Sequence, residues 1–303
     1  NQKEYVKATE NFTSALNLRE EIGNKTAIAE ISNNLGMIYE DQGHYNQSID
    51  YYTQSIQIAE KINAKRELSN GVNNIGKVYE KQKKYSEAEP LRKHALENSE
   101  KAFGNDHPAT MTSVKNLAEL YLEQERYSDA ESLYKRLLQM TEKVFGSENL
   151  RMADGIDQLA SVYLFQKRFT EAESLLLRSI EIKEKTLGGD HTLTSSSLSI
   201  LATLYFAQDK FTQAESLYKR VIAIREKEFG KEDLRVVSGV EMLATFYVAQ
   251  RRYQEAEPLY KRLLDTIERG LGKNHPAVAS TLEEYAELLR NLNREEEATK
   301  LEA

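Results

Sequence analysis

Residues 131–146 read ESLYKRLLQMTEKVFG, and residues 215–230 read ESLYKRVIAIREKEFG. Between them residues 173–188 read ESLLLRSIEIKEKTLG, and residues 257–272 read EPLYKRLLDTIERGLG, so each copy starts 42 residues after the last. Inside the copy Leu133, Leu137, Met140 and Val144 recur at helical spacing, with Tyr134, Leu138 and Phe145 in the adjoining row. Lys135, Arg136, Gln139, Glu142 and Lys143 fall outside both rows. The stretch is therefore a helix with one buried face and one wet face.

The period holds at other positions. Tyr79, Tyr121, Tyr163, Tyr205 and Tyr247 stand 42 apart, with Leu289 in the next place, and Ala88, Ala130, Ala172, Ala214, Ala256 and Ala298 keep the same frame. Leu35, Ile75, Leu117, Leu159, Leu201 and Leu243 are each followed by a small residue: Gly36, Gly76, Ala118, Ala160, Ala202 or Ala244. A small side chain there lets two helices approach closely, so each unit reads as two helices. Upstream the step shortens to 40, from Tyr39 to Tyr79 and through Tyr5, Tyr45 and Tyr85.

Punctuation supports this division. Ser86 with Glu89, Ser128 with Glu131, Thr170 with Glu173 and Thr212 with Glu215 have the spacing of a capping box, which is expected to start the second helix. Gly104, Gly146, Gly188, Gly230 and Gly272 are expected to end it in a left-handed conformation. His107, Asn149, His191, Asp233 and His275 share one place between units, and Pro follows His107 and His275. That pattern predicts N-caps with proline at the first helical position rather than metal ligands.

This helix-turn-helix signature resembles the tetratricopeptide repeat. Residues 104–138, GNDHPATMTSVKNLAELYLEQERYSDAESLYKRLL, and residues 272–298, GKNHPAVASTLEEYAELLRNLNREEEA, resemble the 42-residue units of kinesin light chains and their bacterial relatives. The resemblance implies an all-α fold, a right-handed superhelical α-solenoid. One array over 1–303 is expected, with partial repeats at 1–22 and 278–303. Full repeats are expected at 28–62, 68–103, 110–145, 152–187, 194–229 and 236–271. A chain that opens on Asn1 and closes inside a repeat reads as a fragment, with targeting signals out of view and end faces prone to end-to-end self-association.

Composition narrows the function. Of 303 residues, 40% are apolar and 29% charged, with 14 Gly and 4 Pro, as in a helical globular protein. Lys and Arg number 41 against 48 Asp and Glu, a net charge of −7, which argues against nucleic acid and anionic membranes as partners. Without Cys there is neither disulfide nor thiol chemistry. No P-loop, G-x-S-x-G, HExxH or dinucleotide turn occurs, so neither an enzyme nor a cofactor or metal site is expected. The numerous acids read as caps and solvated charge, the sequons at Asn11, Asn24 and Asn46 read as chance, and a cytoplasmic location is expected.

Stacked repeats of this family leave a groove lined by the first helices, and helical spacing names its residues. The strip runs through Glu30, Asn34, Met37 and Asp41; Asn70, Asn74, Lys77 and Lys81; and Thr112, Asn116, Glu119 and Glu123. It continues through Asp154, Gln158, Ser161 and Phe165; Ser196, Ile200, Thr203 and Ala207; and Ser238, Met242, Thr245 and Ala249. Asn34, Asn74, Asn116 and Gln158 occupy one structural position, and an amide carries both donors and an acceptor, so the row suits an extended peptide backbone. Phe165, Ile200 and Met242 make the later half mildly apolar, and Lys77 and Lys81 are its two cations. The expected function is a non-enzymatic protein-binding scaffold; a sensor array of a larger signalling protein is the alternative, and an RNA-binding solenoid lacks the cations it needs. Kinesin light chains hold acidic cargo peptides with basic groove residues. Here Glu30, Asp41, Glu119, Glu123 and Asp154 outnumber the lysines, so neutral, apolar or basic segments are expected.

Overall fold

The computed structural model describes residue 7, residues 10–15 and residues 23–302. The expected partial repeat at 1–22 falls mostly outside the described residues; within it 10–15 are helical. The described chain is all-α, and none of its helices is long and apolar enough to cross a membrane. It divides into two compact units, Asn1–Gly146 and Ser147–Ala303. Unit 1 holds α1 (Lys25–Asp41), α2 (Tyr45–Lys61), α3 (Lys65–Lys81), α4 (Tyr85–Phe103), α5 (Pro108–Glu123) and α6 (Tyr127–Phe145). Unit 2 holds α7 (Leu150–Phe165), α8 (Phe169–Leu187), α9 (Thr192–Ala207) and α10 (Phe211–Phe229). It continues with α11 (Leu234–Ala249), α12 (Tyr253–Leu271), α13 (Pro276–Asn291) and α14 (Glu295–Glu302).

Helix and turn lengths account for both periods. In unit 2 a 16-residue first helix, a three-residue turn, a 19-residue second helix and a four-residue turn fill 42 residues, as in α7, 166–168, α8 and 188–191. At the start of unit 1 two 17-residue helices and two three-residue turns, 42–44 and 62–64, fill 40. The two turns have different physics. The turn between long repeats begins at Gly104, Gly188, Gly230 or Gly272, with φ of +86° to +91° and ψ of 153° to 170°. That is the mirror image of extended backbone, which glycine alone enters freely, rather than the left-handed helical region expected. The turn inside a repeat is left-handed at Gly43 in the first described repeat and, in the later ones, at Lys83, Glu125, Lys167, Asp209, Arg251 and Asn293, all near φ +60° and none of them glycine. There the next N–H reaches back five residues, as from Lys84 N to Tyr79 O and from Arg252 N to Tyr247 O, both 2.9 Å, which is the Schellman pattern.

First helices are capped at the predicted residues. His107, His191 and His275 accept through Nδ1 from the N–H two residues on at 3.1, 3.1 and 3.2 Å, Asp233 accepts through a carboxylate oxygen from Arg235 N at 2.9 Å, and Asn149 accepts through its amide oxygen from Met152 N, three residues on, at 3.0 Å. Asn24, the middle sequon, caps α1 by accepting from Ala27 N at 3.1 Å. The capping boxes do not form. The N-caps of α4, α6, α8 and α10 are Lys84, Arg126, Arg168 and Lys210, two residues earlier than expected, and none of them caps its helix through a side-chain hydrogen bond.

Three of those glutamates, Glu89, Glu173 and Glu215, instead join one repeat to the next. Glu89 accepts from Tyr121 Oη at 3.3 Å and Arg126 Nη1 at 2.9 Å, while the Arg126 guanidinium lies 4.0 Å over the Tyr121 ring. Glu173 holds Tyr205 at 2.9 Å and Lys210 at 3.3 Å. Glu215 holds Tyr247 at 3.0 Å and Arg252 at 2.6 Å. In the last of these joints Leu289 stands where a tyrosine would, and Tyr285, one turn earlier, supplies the hydroxyl to Glu257 at 3.4 Å beside Arg294 at 2.8 Å. Hydrogen bonds from Arg252 and then Lys219 hold the Glu215 carboxyl down at about 2, below the unfolded value. Its stabilisation is therefore complete above pH ~4.5 and lost as pH falls toward 2. Glu215→Gln is expected to cost about 1–2 kcal/mol at pH 7, allowing for partial solvent contact. Melting curves of both proteins across this range check it: the gap should close in acid, and a gap constant with pH would contradict the assignment.

Within each unit the core lies between the helices of each pair and between adjacent pairs. Ala88, Ala130, Ala172, Ala214, Ala256 and Ala298 are fully buried, as are Ala118, Ala160, Ala202 and Ala244. At Gly36 an added Cβ would stand 2.6 Å from the Tyr52 ring, so the close approach expected of this position is real.

Candidate ligand-binding strip

In unit 1 the strip lies along α1, α3 and α5. Its outer members Glu30, Met37, Asn70 and Lys77 are exposed, and Asn34, Asn74 and Asn116 are half-buried between them. A cleft of about 230 Å³ opens between α1 and α3, lined by Glu30, Asn33, Asn34, Arg66, Glu67 and Asn70. The amides form two columns where the sequence suggested one. Asn74 Nδ2 donates to Asn33 Oδ1 at 2.9 Å, and Asn116 Nδ2 donates to Asn73 Oδ1 at 3.5 Å. Asn73 Oδ1 also accepts from Arg92 Nη1 at 3.2 Å. Asn33 and Asn73, each one residue before a strip amide of its own helix, thus orient the strip amide of the next repeat, and a one-residue offset on a helix turns a side chain by about 100°.

Lys77 and Lys81 are engaged within the protein. Both reach Glu40 Oε1, at 3.0 and 2.6 Å, while Tyr52 Oη donates to Glu40 Oε2 at 2.9 Å. Glu40 is buried. Desolvation opposes its charge, but hydrogen bonds from Lys81, Lys77 and Tyr52 outweigh it and hold the carboxyl below its usual range. Reading every acid as a cap or a solvated charge therefore fails at Glu40.

Unit 2 carries Gln158 and Ile200 half-buried, with Phe165 and Met242 exposed. Asp154, also on the strip, is 3.1 Å from Lys183 Nζ, which is buried against Asp157 Oδ2 at 2.7 Å. The strip turns acidic at its end. Glu284, 42 residues after Met242, accepts from Tyr260 Oη at 3.3 Å. Burial first, then the charges of Glu284, Glu241 and Glu287, push the Tyr260 hydroxyl above its ordinary range. Burial and the charge of Glu284 likewise raise Glu241. Among the described residues no group of three or more His, Asp and Glu is placed to hold a metal ion.

The fold has counterparts in known proteins. Solved structures with the same fold include BtubC from P. vanneervenii, 20% identical over 77% of this chain and 94% of that one, with a TM-score of 0.62. The nearly identical TPR-like repeats named for kinesin light chain from Podosopora anserina are 24% identical over 66% of this chain and 95% of that one, with a TM-score of 0.54. The apo quorum sensor NprR from B. thuringiensis is 14% identical over 99% of this chain and 97% of that one, with a TM-score of 0.56. At these identities the likeness is one of fold. No curated protein matches the chain. The tetratricopeptide repeat model matches residues 1–61, 68–143, 151–227 and 239–302. A helix-turn-helix unit of this kind, repeated through nearly all of the sequence, makes the chain a member of the tetratricopeptide repeat family.

Proposed function

We propose that the chain is a non-enzymatic protein–protein interaction scaffold whose first helices hold an extended peptide or partner segment. The observation that carries this reading is the row of half-buried strip amides, Asn34, Asn74 and Asn116, beside an open cleft in unit 1. Asn74 and Asn116 each spend an Nδ2 donor on a neighbouring Asn, which fixes the amide plane in advance. Pre-oriented amides lose less entropy on binding a backbone than free ones. Gln158, Phe165, Ile200 and Met242 extend the proposed contact surface in unit 2, and residues 1–303 serve as one array. Glu40 takes up the charges of Lys77 and Lys81, and Glu241, Glu284 and Glu287 add carboxylates at the far end. Neutral, apolar and basic segments are therefore the preferred partners. A sensor array in a larger regulator is the second reading, supported by the fold shared with a quorum sensor over 99% of this chain.

A peptide array tests the charge preference, which dominant enrichment of acidic peptides would overturn. The amides are tested by changing Asn74 and Asn116 to Ala together. Peptides selected from the array should bind more weakly by about 1–3 kcal/mol per ligand bond left unpaired. The melting temperature should move little. Intact binding with a lowered melting temperature would assign both residues to the Asn–Asn contacts alone.

A further inference from the structure

The 42-residue period compares Lys183 on α8 with Arg225 on α10, at one structural position in successive repeats of unit 2. The chain gives Lys183 two carboxylates of its own, Asp157 at 2.7 Å and Asp154 at 3.1 Å. One period after those acids stand Ser196 and Ser199. Ser199 is buried and turns its hydroxyl back to Ser195 O at 2.9 Å. Arg225 therefore meets hydroxyls alone. Its Nε donates to Ser195 Oγ at 3.3 Å and its Nη1 to the exposed Ser238 Oγ, and no carboxylate stands within ion-pair distance among the described residues.

A guanidinium carries five N–H donors, so three remain after these two bonds. It is half-buried, and burial without an opposing charge lowers its pKa from the ordinary value. Desolvating a cation without pairing it is costly, and the neighbouring repeat shows how this chain removes that cost. Ser195 Oγ donates to Thr192 O at 2.7 Å, so it can only accept from Arg225, which fixes the guanidinium plane. Ser238 lies on the strip itself, and the unused donors of Arg225 stand beside it.

We propose that Arg225 receives a carboxylate supplied by the bound peptide, taking the place that Asp154 and Asp157 fill around Lys183. It is one fixed anionic contact on a strip that otherwise favours neutral or basic segments, and it rests on the reading that peptides lie along this face. The group is either a chain-terminal carboxylate or an Asp or Glu side chain, and both offer the two oxygens that match the guanidinium fork.

The test follows the Arg225 Nε–Hε resonance in nitrogen-15 spectra of the whole chain. The probes are sodium acetate, N-acetyl-trialanine with a free C-terminus, the same peptide amidated, and an amidated peptide with one internal Asp. Acetate and the free-acid or Asp peptide should shift the resonance saturably, the amidated trialanine should not, and the two acid peptides tell which source is preferred. Arg225→Gln should weaken acid-peptide binding about tenfold or more, the loss of a charge-assisted bond, with an unchanged or raised melting temperature. Arg225→Lys, which keeps the charge and loses the fork, should lie between. A resonance indifferent to every carboxylate, or equally moved by the amide, overturns the assignment. If peptides perturb the Asn74 and Asn116 side-chain amides and leave Arg225 unmoved, the peptide reading stands and this one falls. If acetate shifts Arg225 while no peptide perturbs the strip, the anion site stands and the peptide reading falls.

Discussion

Replacing Lys183 with methionine is expected to lower the unfolding free energy by about 3–5 kcal/mol, the penalty for stranding one member of a buried ion pair. Lys183 is 1% exposed and Asp157 5%. The ammonium meets Asp157 Oδ2 at 2.7 Å, the oxygen that Ser197 Oγ also reaches at 2.7 Å, while Asp157 Oδ1 is buried with no hydrogen-bond partner. Asp157 is thus already short of one bond, and without Lys183 its charge has no compensation. Replacing Lys183 and Asp157 together by methionine and leucine should recover most of the loss, because a well-packed apolar pair often equals a buried ion pair. Urea unfolding of the single and double variants measures this. A single variant within about 1 kcal/mol of the parent would mean that Asp157 swings out to water instead.

Phe246→Ala is expected to cost about 3–5 kcal/mol, the usual range for a fully buried phenyl ring. Phe246 is 2% exposed, and its ring centroid lies 5.5 Å from Phe206, 5.5 Å from Tyr218 and 5.6 Å from Tyr247. Those partners come from α9, α10 and α11, so the lost ring loosens a helix pair and its joint to the previous one. Repeat stabilities add through nearest-neighbour contacts. The variant should therefore show a second, earlier transition in chemical unfolding, with hydrogen exchange quickened in α9 to α11 before the rest of unit 2. A single transition shifted as a whole would show that unit 2 is more cooperative than additive repeats allow.

Much of the fold was legible because packing repeats. Ala214 and Ala256 are alike in sequence because both lie fully buried between helices, and His191 and Asp233 are interchangeable because each only has to offer an acceptor to a helix start. What escaped the sequence depends on neighbours far along the chain. Glu215 has the spacing of a local cap, yet Tyr247 and Arg252 claim it from the next repeat. The left-handed residues Lys83, Glu125 and Asp209 carry no glycine signal, because backbone hydrogen bonds hold the turn whatever the side chain. Nothing in the spacing singles out Lys183 and Asp157, which become partners only when the fold closes over them. In the candidate strip Asn34, Asn74 and Asn116 are half-buried on successive first helices; the second amide column, Asn33 and Asn73, could have been found by asking which amides sit beside the first.

The joints formed by Glu173, Glu215 and Glu257 bear on how such a chain can change length. Each of these joints presents a carboxylate forward and receives a hydroxyl and a cation from the next unit, and at Glu173 and Glu215 the spacing is the same, so those parts are interchangeable. Excising residues 190–231, one full period, would bring Glu173 to Tyr247 and Arg252 with the spacing it now has to Tyr205 and Lys210. Duplication of the same block would create one more joint of identical chemistry. A deletion one residue short of a period would turn the later hydroxyls away from their carboxylates. Whole-unit gain and loss is thus the low-cost route by which this sequence can lengthen or shorten the surface it offers.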